Sequence, residues 1–288
     1  MEKSLRGPVT FVGPEEIRGW TLRERAAGRT VGLVPTMGDL HAGHRSLLER
    51  ARADCDRVVA TIFVNPLQFD SEADLAKYPR NLERDLDMAA AIGVDAVFAP
   101  PESGMYRKDA STVVEVQGLQ DRLCGAHRPG HFRGVATVVA KLFNIVPAGI
   151  AYFGRKDYQQ ATLIARMVRD LDFPIEIRLC PTVRDADGLA LSSRNARLSP
   201  AERAQAPVLH RMLAAIRDGV AAGERDAAAL RERALRLLSE APAARLDYLE
   251  IVAPDNLEPL ARIAGAAVAA GAVRMGETRL IDNLEINA

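Results

Sequence analysis

Residues 35–44, PTMGDLHAGH, follow the β-branched run Thr30-Val31-Gly32-Leu33-Val34 and precede a stretch where Leu47, Leu48 and Ala51 recur among Arg45, Glu49, Arg50 and Arg52. The run reads as a short buried strand, and the spacing after it predicts a helix beginning near Gly43. The segment therefore sits on a strand-to-helix turn. There the first backbone N–H groups of a helix lack intrahelical partners and the helix dipole favours an anion. Gly38 and Gly43 let the backbone come close to such an anion. His41 and His44, three residues apart, fall on one side of a first helical turn. The expected ligand is a triphosphate, and the competing reading is a glycine-rich turn carrying two surface histidines.

The alternation continues outward. Residues 57–65 read as a second strand, 81–92 as a helix, 94–99 as a third strand, 134–146 as a helix, 150–153 as a strand, 158–171 as a helix and 175–179 as a strand. Such βα alternation predicts a parallel sheet covered on both faces, with ligands at the carboxyl ends of its strands. Beyond about Asp185 the pattern changes to alanine-rich helices near 200–222 and 226–240, then strand-like runs at 246–252, 266–273 and 278–282. Gly219, Gly223 and Pro242 interrupt any coiled-coil pattern there. The expectation is an α/β chain with a Rossmann-like parallel-sheet N-terminal domain, residues 1–184, and a smaller α+β C-terminal domain, residues 185–288.

At 288 residues, with 48% hydrophobic content, the chain is long enough for two substantial cores. Lys+Arg and Asp+Glu balance at 38 each, which leaves no global basic field for nucleic acid, so any anion site is local. Three cysteines, Cys55, Cys124 and Cys180, are odd in number and lack a C-x-x-C pair; neither a disulfide framework nor a zinc site is expected, and a reducing cytoplasm suits them. The N-terminal residues lack a continuous apolar core of an export signal, and no run of about 18 uncharged apolar residues occurs elsewhere. The expected location is cytoplasmic, with no membrane span.

PTMGDLHAGH resembles the HIGH-type signature of the nucleotidyltransferase superfamily, whose members attack the α-phosphate of a nucleoside triphosphate. Further segments are similar to one of its families, the pantothenate synthetases: FVNPLQF at 63–69, Tyr78-Pro79-Arg80, RPGHFRG at 128–134, FGRKDYQQ at 153–160 and DGLALSSRN at 187–195. They stay in order over nearly the whole chain. The resemblance implies ATP-dependent joining of (R)-pantoate and β-alanine through a pantoyl adenylate, with release of AMP and pyrophosphate. It also implies magnesium, a homodimer, and no nucleic-acid or membrane partner. The alternatives are another HIGH-type nucleotidyltransferase or an inactive nucleotide-binding homologue.

The same resemblance assigns candidate residues. ATP binding falls to Met37, Gly38, Asp39, Leu40, His41, Ala42, Gly43 and His44, to Gly154, Arg155, Lys156 and Asp157, and to Val183, Leu191, Ser192, Ser193 and Arg194. His44, His41 and Lys156 are the catalytic candidates; an imidazolium at His44 is the expected proton donor. Lys156 meets a phosphate as a point charge, whereas Asp157 is equally explained as a helix cap. Arg155 stands where the family usually has Glu, a change expected to affect surface charge alone. Residues 192–194 offer two hydroxyls and a guanidinium in one loop, the counterpart of the KMSKS loop of class I tRNA synthetases, with Gly188 as a source of hinge freedom. Gln68 and Gln160 are assigned to pantoate, and Gln68 also to β-alanine, because an amide both donates and accepts. Asn65, Pro66 and Phe69 are supporting wall residues, and His131 and Arg133 either line the same cleft or belong to a solvated loop. Asp85 is the candidate magnesium ligand, with Asp70, Glu83 and Asp87 nearby and a solvated helix face as the plain explanation.

Overall fold

The computed structural model describes residues 7–70 and 72–288. Residues 1–6, on which the reading of the N-terminus partly rests, lie outside them. Six strands, β1 (Val9–Phe11), β2 (Val31–Thr36), β3 (Arg57–Ile62), β4 (Ala96–Phe98), β5 (Ile150–Gly154) and β6 (Glu176–Cys180), form one sheet in the order β1-β4-β3-β2-β5-β6. Every pairing in it is parallel. Progress across the sheet runs from β2 through β3 to β4 on one side and from β5 to β6 on the other, so the direction of winding reverses between β2 and β5. That is the topological switch point at which open α/β sheets receive ligands. The expected Rossmann-like sheet is thus present, and a separate three-stranded antiparallel sheet completes the α/β plus α+β architecture.

The chain divides into two compact units that are discontinuous in sequence. One holds the described residues up to Val116 together with Gly130–Gly154 and Leu163–Cys180; the other holds Gln117–Pro129, Arg155–Thr162 and Pro181–Ala288.

In the first unit β2 is central because its side chains suit burial on both faces: Val31, Leu33 and Val34 are all buried. Gly32 is needed for close approach, since a Cβ there would lie 2.9 Å from Cys55 Sγ and 3.1 Å from the Tyr152 ring. Val34, Leu40, Leu47, Leu48, Val58, Ala60, Val97 and Tyr152 share one core, so helix Ala42–Asp54 is held against the sheet by its Leu47-Leu48-Ala51 face. At the far end of that helix Asp54 Oδ2 accepts from Arg50 Nε at 2.8 Å, Arg178 Nη1 at 2.7 Å and the Tyr152 hydroxyl at 3.1 Å.

The second unit contains β7 (Ala244–Val252), β8 (Ala266–Met275) and β9 (Thr278–Asn287), ordered β7-β8-β9. A two-residue turn, Gly276-Glu277, joins β8 to β9, with Gly276 at φ +54° as such hairpins require. Ala269, Val273 and Met275 of β8 pack in one core with Leu209, Met212, Leu213 and Ile216 of helix Val208–Ala221.

Several elements went unmarked in the sequence. β1 and helix Pro14–Ala26 precede the region where alternation was legible; β1 has three residues, two of them exposed, which is too little for a period. Short helices Glu72–Ala76, Glu102–Met105 and Leu123–Ala126 lie where turn residues dominate. β8 and β9 extend to Met275 and Asn287, past the expected 273 and 282. Among the described residues, no helix is long and apolar enough to cross a membrane.

The hydrogen bond from Arg50, with those from Arg178 and Tyr152, outweighs burial and holds the Asp54 carboxyl below its usual range. A carboxyl depressed in the folded state adds stability above its unfolded value, about 3.9, and that stability is lost as pH falls through the folded value. Asp54→Asn is therefore expected to melt below the wild type at pH 7, the gap closing as pH drops below about 4. Thermal melts across pH check this; a gap independent of pH would remove the ionised carboxylate as its cause.

Candidate functional site

The strand-to-helix turn in the first unit is built around a buried carboxylate. After β2 the Thr36 hydroxyl donates to Thr61 O at 2.6 Å and accepts from Gly38 N at 3.1 Å. Gly38 and Asp39 then take φ +83° and +50°, two successive left-handed residues of which the second is not glycine. This conformation turns the next two amides to one side. Asp39 N donates to Asp85 Oδ2 at 2.9 Å, and Leu40 N donates to Asp85 Oδ1 at 2.7 Å. Gly38 is obligatory on a second count, because a Cβ would lie 2.9 Å from Asp85 Oδ2. Asp85 is 1% exposed, and burial pushes its carboxyl up despite the two backbone amides.

Helix Ala42–Asp54 then opens with a capping box made of two imidazoles. His41 Nδ1 accepts from Gly43 N at 3.1 Å, and His44 Nδ1 accepts from His41 N at 3.4 Å, with ring centroids 4.1 Å apart. A backbone amide can only donate, so both Nδ1 atoms must carry a lone pair. The proton of each neutral ring then sits on Nε2. This geometry suits neutral rings that donate through Nε2–H. Met37, Asp39, His41, Gly43 and His44 are half-buried and Ala42 is exposed, while Gly38 and Leu40 are buried.

A second polar cluster in this unit surrounds Gln68, in the 3-10 turn Pro66–Gln68. Asn65, 1% exposed, spends its whole amide on neighbours. Its Oδ1 accepts from the Tyr106 hydroxyl at 2.8 Å and Leu67 N at 3.3 Å, and its Nδ2 donates to Gly134 O at 3.1 Å and Gln68 Oε1 at 2.9 Å. That last bond orients the Gln68 amide, with its oxygen toward Asn65. His131 Nδ1 lies 2.7 Å from the Gln68 carbonyl and so donates to it. His131 therefore belongs to this cluster, whereas Arg133 pairs at the surface with Glu115 at 3.7 Å. Burial raises the Tyr106 phenol far above its ordinary value, which keeps it a donor. Tyr106 carries no motif signal, and its approach to Asn65 across 41 residues was invisible in the sequence.

In the second unit, residues Arg155–Asp157 form a 3-10 turn, reached as the chain leaves β5 at Gly154. Arg155 pairs with Glu285 of β9. Lys156 Nζ is 3.5 Å from Asp157 Oδ1, and Asn283 Nδ2 donates to the carbonyls of both Arg155 and Lys156 at 2.9 Å. Gln160 is half-buried on helix Tyr158–Asp170. Its neighbour Gln159, which the motif reading passed over, is the buried one: Nε2 donates to Leu119 O and Arg122 O at 2.8 and 2.6 Å, and Oε1 accepts from Cys124 N at 3.0 Å. Leu191 N donates to Val183 O at 3.0 Å at the root of a hairpin, and Ser192 Oγ then accepts from Arg194 N at 3.2 Å, capping the 3-10 turn Ser193–Arg197.

Asp85 does not fit the magnesium ligand it was expected to be. It is enclosed and engaged by two amides, while Asp70, Glu83 and Asp87 are exposed. Magnesium keeps several waters and needs room for them. Among the described residues, no group of three His, Cys, Asp or Glu side chains is placed to hold a metal ion.

Residues 10–285 match the family model described as pantoate-beta-alanine ligase. The chain is 55% identical over 273 residues to the pantothenate synthetase of Moorella thermoacetica, covering 94% of this chain and 96% of that one. Its fold is similar to the crystal structure of pantothenate synthetase from Thermus thermophilus, with a TM-score of 0.92, 48% identity and coverage of 97% and 100%. It is also similar to pantoate-beta-alanine ligase from Francisella tularensis complexed with beta-gamma ATP and beta-alanine, with a TM-score of 0.79, 31% identity and coverage of 96% and 97%.

A Cβ added at Gly134 would lie 2.3 Å from Leu67 O and 2.8 Å from Gln68 N, both backbone atoms that cannot swing aside. Gly134→Ala should cost about 1–3 kcal/mol, the range for overpacking, and lower the melting temperature by several degrees. An unchanged melting temperature would show that helix His131–Ile145 does not pin the Gln68 turn.

Proposed function

The chain belongs to the pantoate-beta-alanine ligase family, and we propose that it joins (R)-pantoate to β-alanine with ATP, giving pantothenate, AMP and pyrophosphate. The observation that carries the reading is the turn at residues 37–44. It sets two imidazole Nε2–H donors at the start of helix Ala42–Asp54, on a loop whose own amides are held by Asp85.

In the first step a pantoate carboxylate oxygen attacks the α-phosphorus of ATP, a P–O bond forms, and the bond to pyrophosphate breaks. Negative charge grows on the phosphoryl and leaving oxygens. Preorganised donors stabilise that charge without reorganising during the reaction. His41 and His44 supply Nε2–H groups, Lys156 an ammonium, and Ser192, Ser193 and Arg194 hydroxyls and a guanidinium. In the second step the neutral amine of β-alanine attacks the acyl carbon of pantoyl adenylate, the C–O bond to AMP breaks, and the amine loses a proton. No side-chain nucleophile is required. Gln68 and Gln160 bind the pantoate oxygens, and Gln68 serves β-alanine as well. Asn65 Nδ2 donates to the Gln68 oxygen and so helps fix the orientation of the amide proposed to meet the substrate.

Magnesium enters as the MgATP substrate, held by phosphate oxygens and neutralising their charge. A homodimer and a cytoplasmic location complete the reading. The first is carried from the family resemblance; the second is supported by three buried free thiols, which suit a reducing compartment.

The test is pyrophosphate release from ATP, magnesium and (R)-pantoate, with and without β-alanine, assaying AMP and pantothenate in parallel. Release should depend on pantoate and become sustained with β-alanine; protein that binds ATP yet shows no pantoate-dependent release would overturn the proposal. His44→Ala and Lys156→Ala should each slow adenylate formation by about two orders of magnitude. Gln68→Ala should raise the pantoate KM strongly, and an unchanged value would remove Gln68 from the substrate.

A further inference from the structure

Two adjacent residues near the end of the chain, Asp282 and Asn283, make contacts that the reaction as described does not use. They lie side by side on β9, the edge strand of the small sheet, opposite Gly271 and Ala270 of β8. Both are buried. Consecutive strand residues face opposite ways, so one short stretch of a single strand can serve two different neighbours.

Asn283 serves the Lys156 turn. Its Nδ2 carries two hydrogens and donates one to each of two successive carbonyls, Arg155 O and Lys156 O, both at 2.9 Å. A 3-10 turn of three residues has few internal bonds of its own. The amide of Asn283 thus sets the position of the backbone from which the Lys156 side chain springs.

Asp282 serves the hairpin that leads into Ser192. Its carboxylate accepts from both Nη atoms of Arg184, at 2.6 and 2.8 Å, and from the backbone N–H of Asn283 at 2.8 Å, with His210 Nδ1 at 3.6 Å. Arg184 spends further donors on Gly188 O at 3.0 Å and Asn283 O at 3.3 Å. It bridges to Ala190 across the hairpin, one step before the bond from Leu191 to Val183. The tip is fitted closely as well: Gly188 has φ +92°, and a Cβ there would lie 2.3 Å from the His210 ring. Although burial opposes ionisation, the hydrogen bonds from Arg184, with the His210 ring 3.6 Å away, keep the Asp282 carboxyl below its usual range, so it remains a full partner for the guanidinium.

We infer that Asp282 and Asn283 are positioning residues for the adenylation step, Asn283 acting through Lys156 and Asp282, by way of Arg184, through Ser192, Ser193 and Arg194. The inference rests on the assignment of those groups to ATP. It makes one strand register responsible for two phosphate-facing segments separated by about 35 residues of chain.

The experiment is a pair of double-mutant cycles read by pre-steady-state pyrophosphate release from MgATP and (R)-pantoate. Asn283→Ala should lower kcat/KM for ATP by about tenfold or more, the scale of a displaced catalytic group, and leave the pantoate KM within twofold. On a Lys156→Ala background the same change should cost less than twofold, because a residue acting through Lys156 has nothing left to position. Asp282→Asn paired with Arg194→Ala should behave likewise. Asn283→Ala removes the two bonds to the Arg155 and Lys156 carbonyls and keeps the Asp282 carboxylate, so it decides the matter if Asp282→Asn does not fold. Full multiplication of the single effects, a parallel rise in the pantoate KM, or wild-type kinetics in Asn283→Ala would overturn the inference while the function stands. A wild type without pantoate-dependent release would overturn the function and the inference together.

Discussion

A carboxylate that burial makes reluctant to ionise holds the turn on which the rest of the first unit's chemistry depends. Asp85 meets Asp39 N and Leu40 N with one oxygen each, and the protein encloses its side chain almost completely. The arrangement is costly from both sides. A buried carboxylate loses hydration, and a non-glycine residue at φ +50° loses backbone freedom. The hydrogen bonds from Asp39 N and Leu40 N offset both costs, and the left-handed pair Gly38-Asp39 is what aims those amides at the carboxylate. With that turn made, Leu40 drops into the core and His41 falls at the N-cap. The chain then has no choice about where the two imidazoles start.

The same logic of consumed polar groups orients the polar side chains near the turn. An imidazole or a carboxamide has two unlike ends, and a neighbour that takes one end selects the other. Gly43 N and His41 N donate to the Nδ1 atoms, so the proton of each neutral ring sits on Nε2. Asn65 takes the Gln68 oxygen, and Asn65 itself is saturated by Tyr106, Leu67, Gly134 and Gln68. Fixing one end of an amide fixes which groups the other end can meet, since an unoriented amide would accept as readily as donate.

The strand-turn-helix at 30–54 was legible because its signals are local: β-branched residues, then glycines, then apolar residues at helical spacing. The parallel sheet followed from alternation, and the antiparallel strands from their runs, although β8 and β9 proved longer because their register is set by each other. Asp85 was noticed, but its enclosed setting was not legible. An acidic residue on a polar helix looks the same in sequence whether it faces solvent or a buried amide pair, and only the packing of helix Leu82–Ile92 separates it from Glu83 and Asp87. Tyr106, Gln159, Arg184 and Asn283 were silent for a related reason. Their partners lie 41, 35, 98 and about 128 residues away, and no period or motif encodes a contact of that range.

The distribution of these silent residues follows from what the proposed role of the two loops demands. In that role Lys156 and the stretch from Ser192 to Arg194 must reach a ligand, so they cannot be ordered by full burial in hydrophobic contact. Their positions have to come from hydrogen bonds at their roots, where the backbone is sheltered. Carbonyls of a 3-10 turn and a tight hairpin are the acceptors such roots offer, and Asn and Arg are donors with fixed geometry that suit them. The buried pair on β9 mounts one such donor, Asn283, and anchors the other, Arg184, through Asp282. The polar pair Asp282-Asn283, in a strand that otherwise alternates Leu280, Leu284 and Ile286 toward apolar neighbours, is where that requirement surfaces in the sequence.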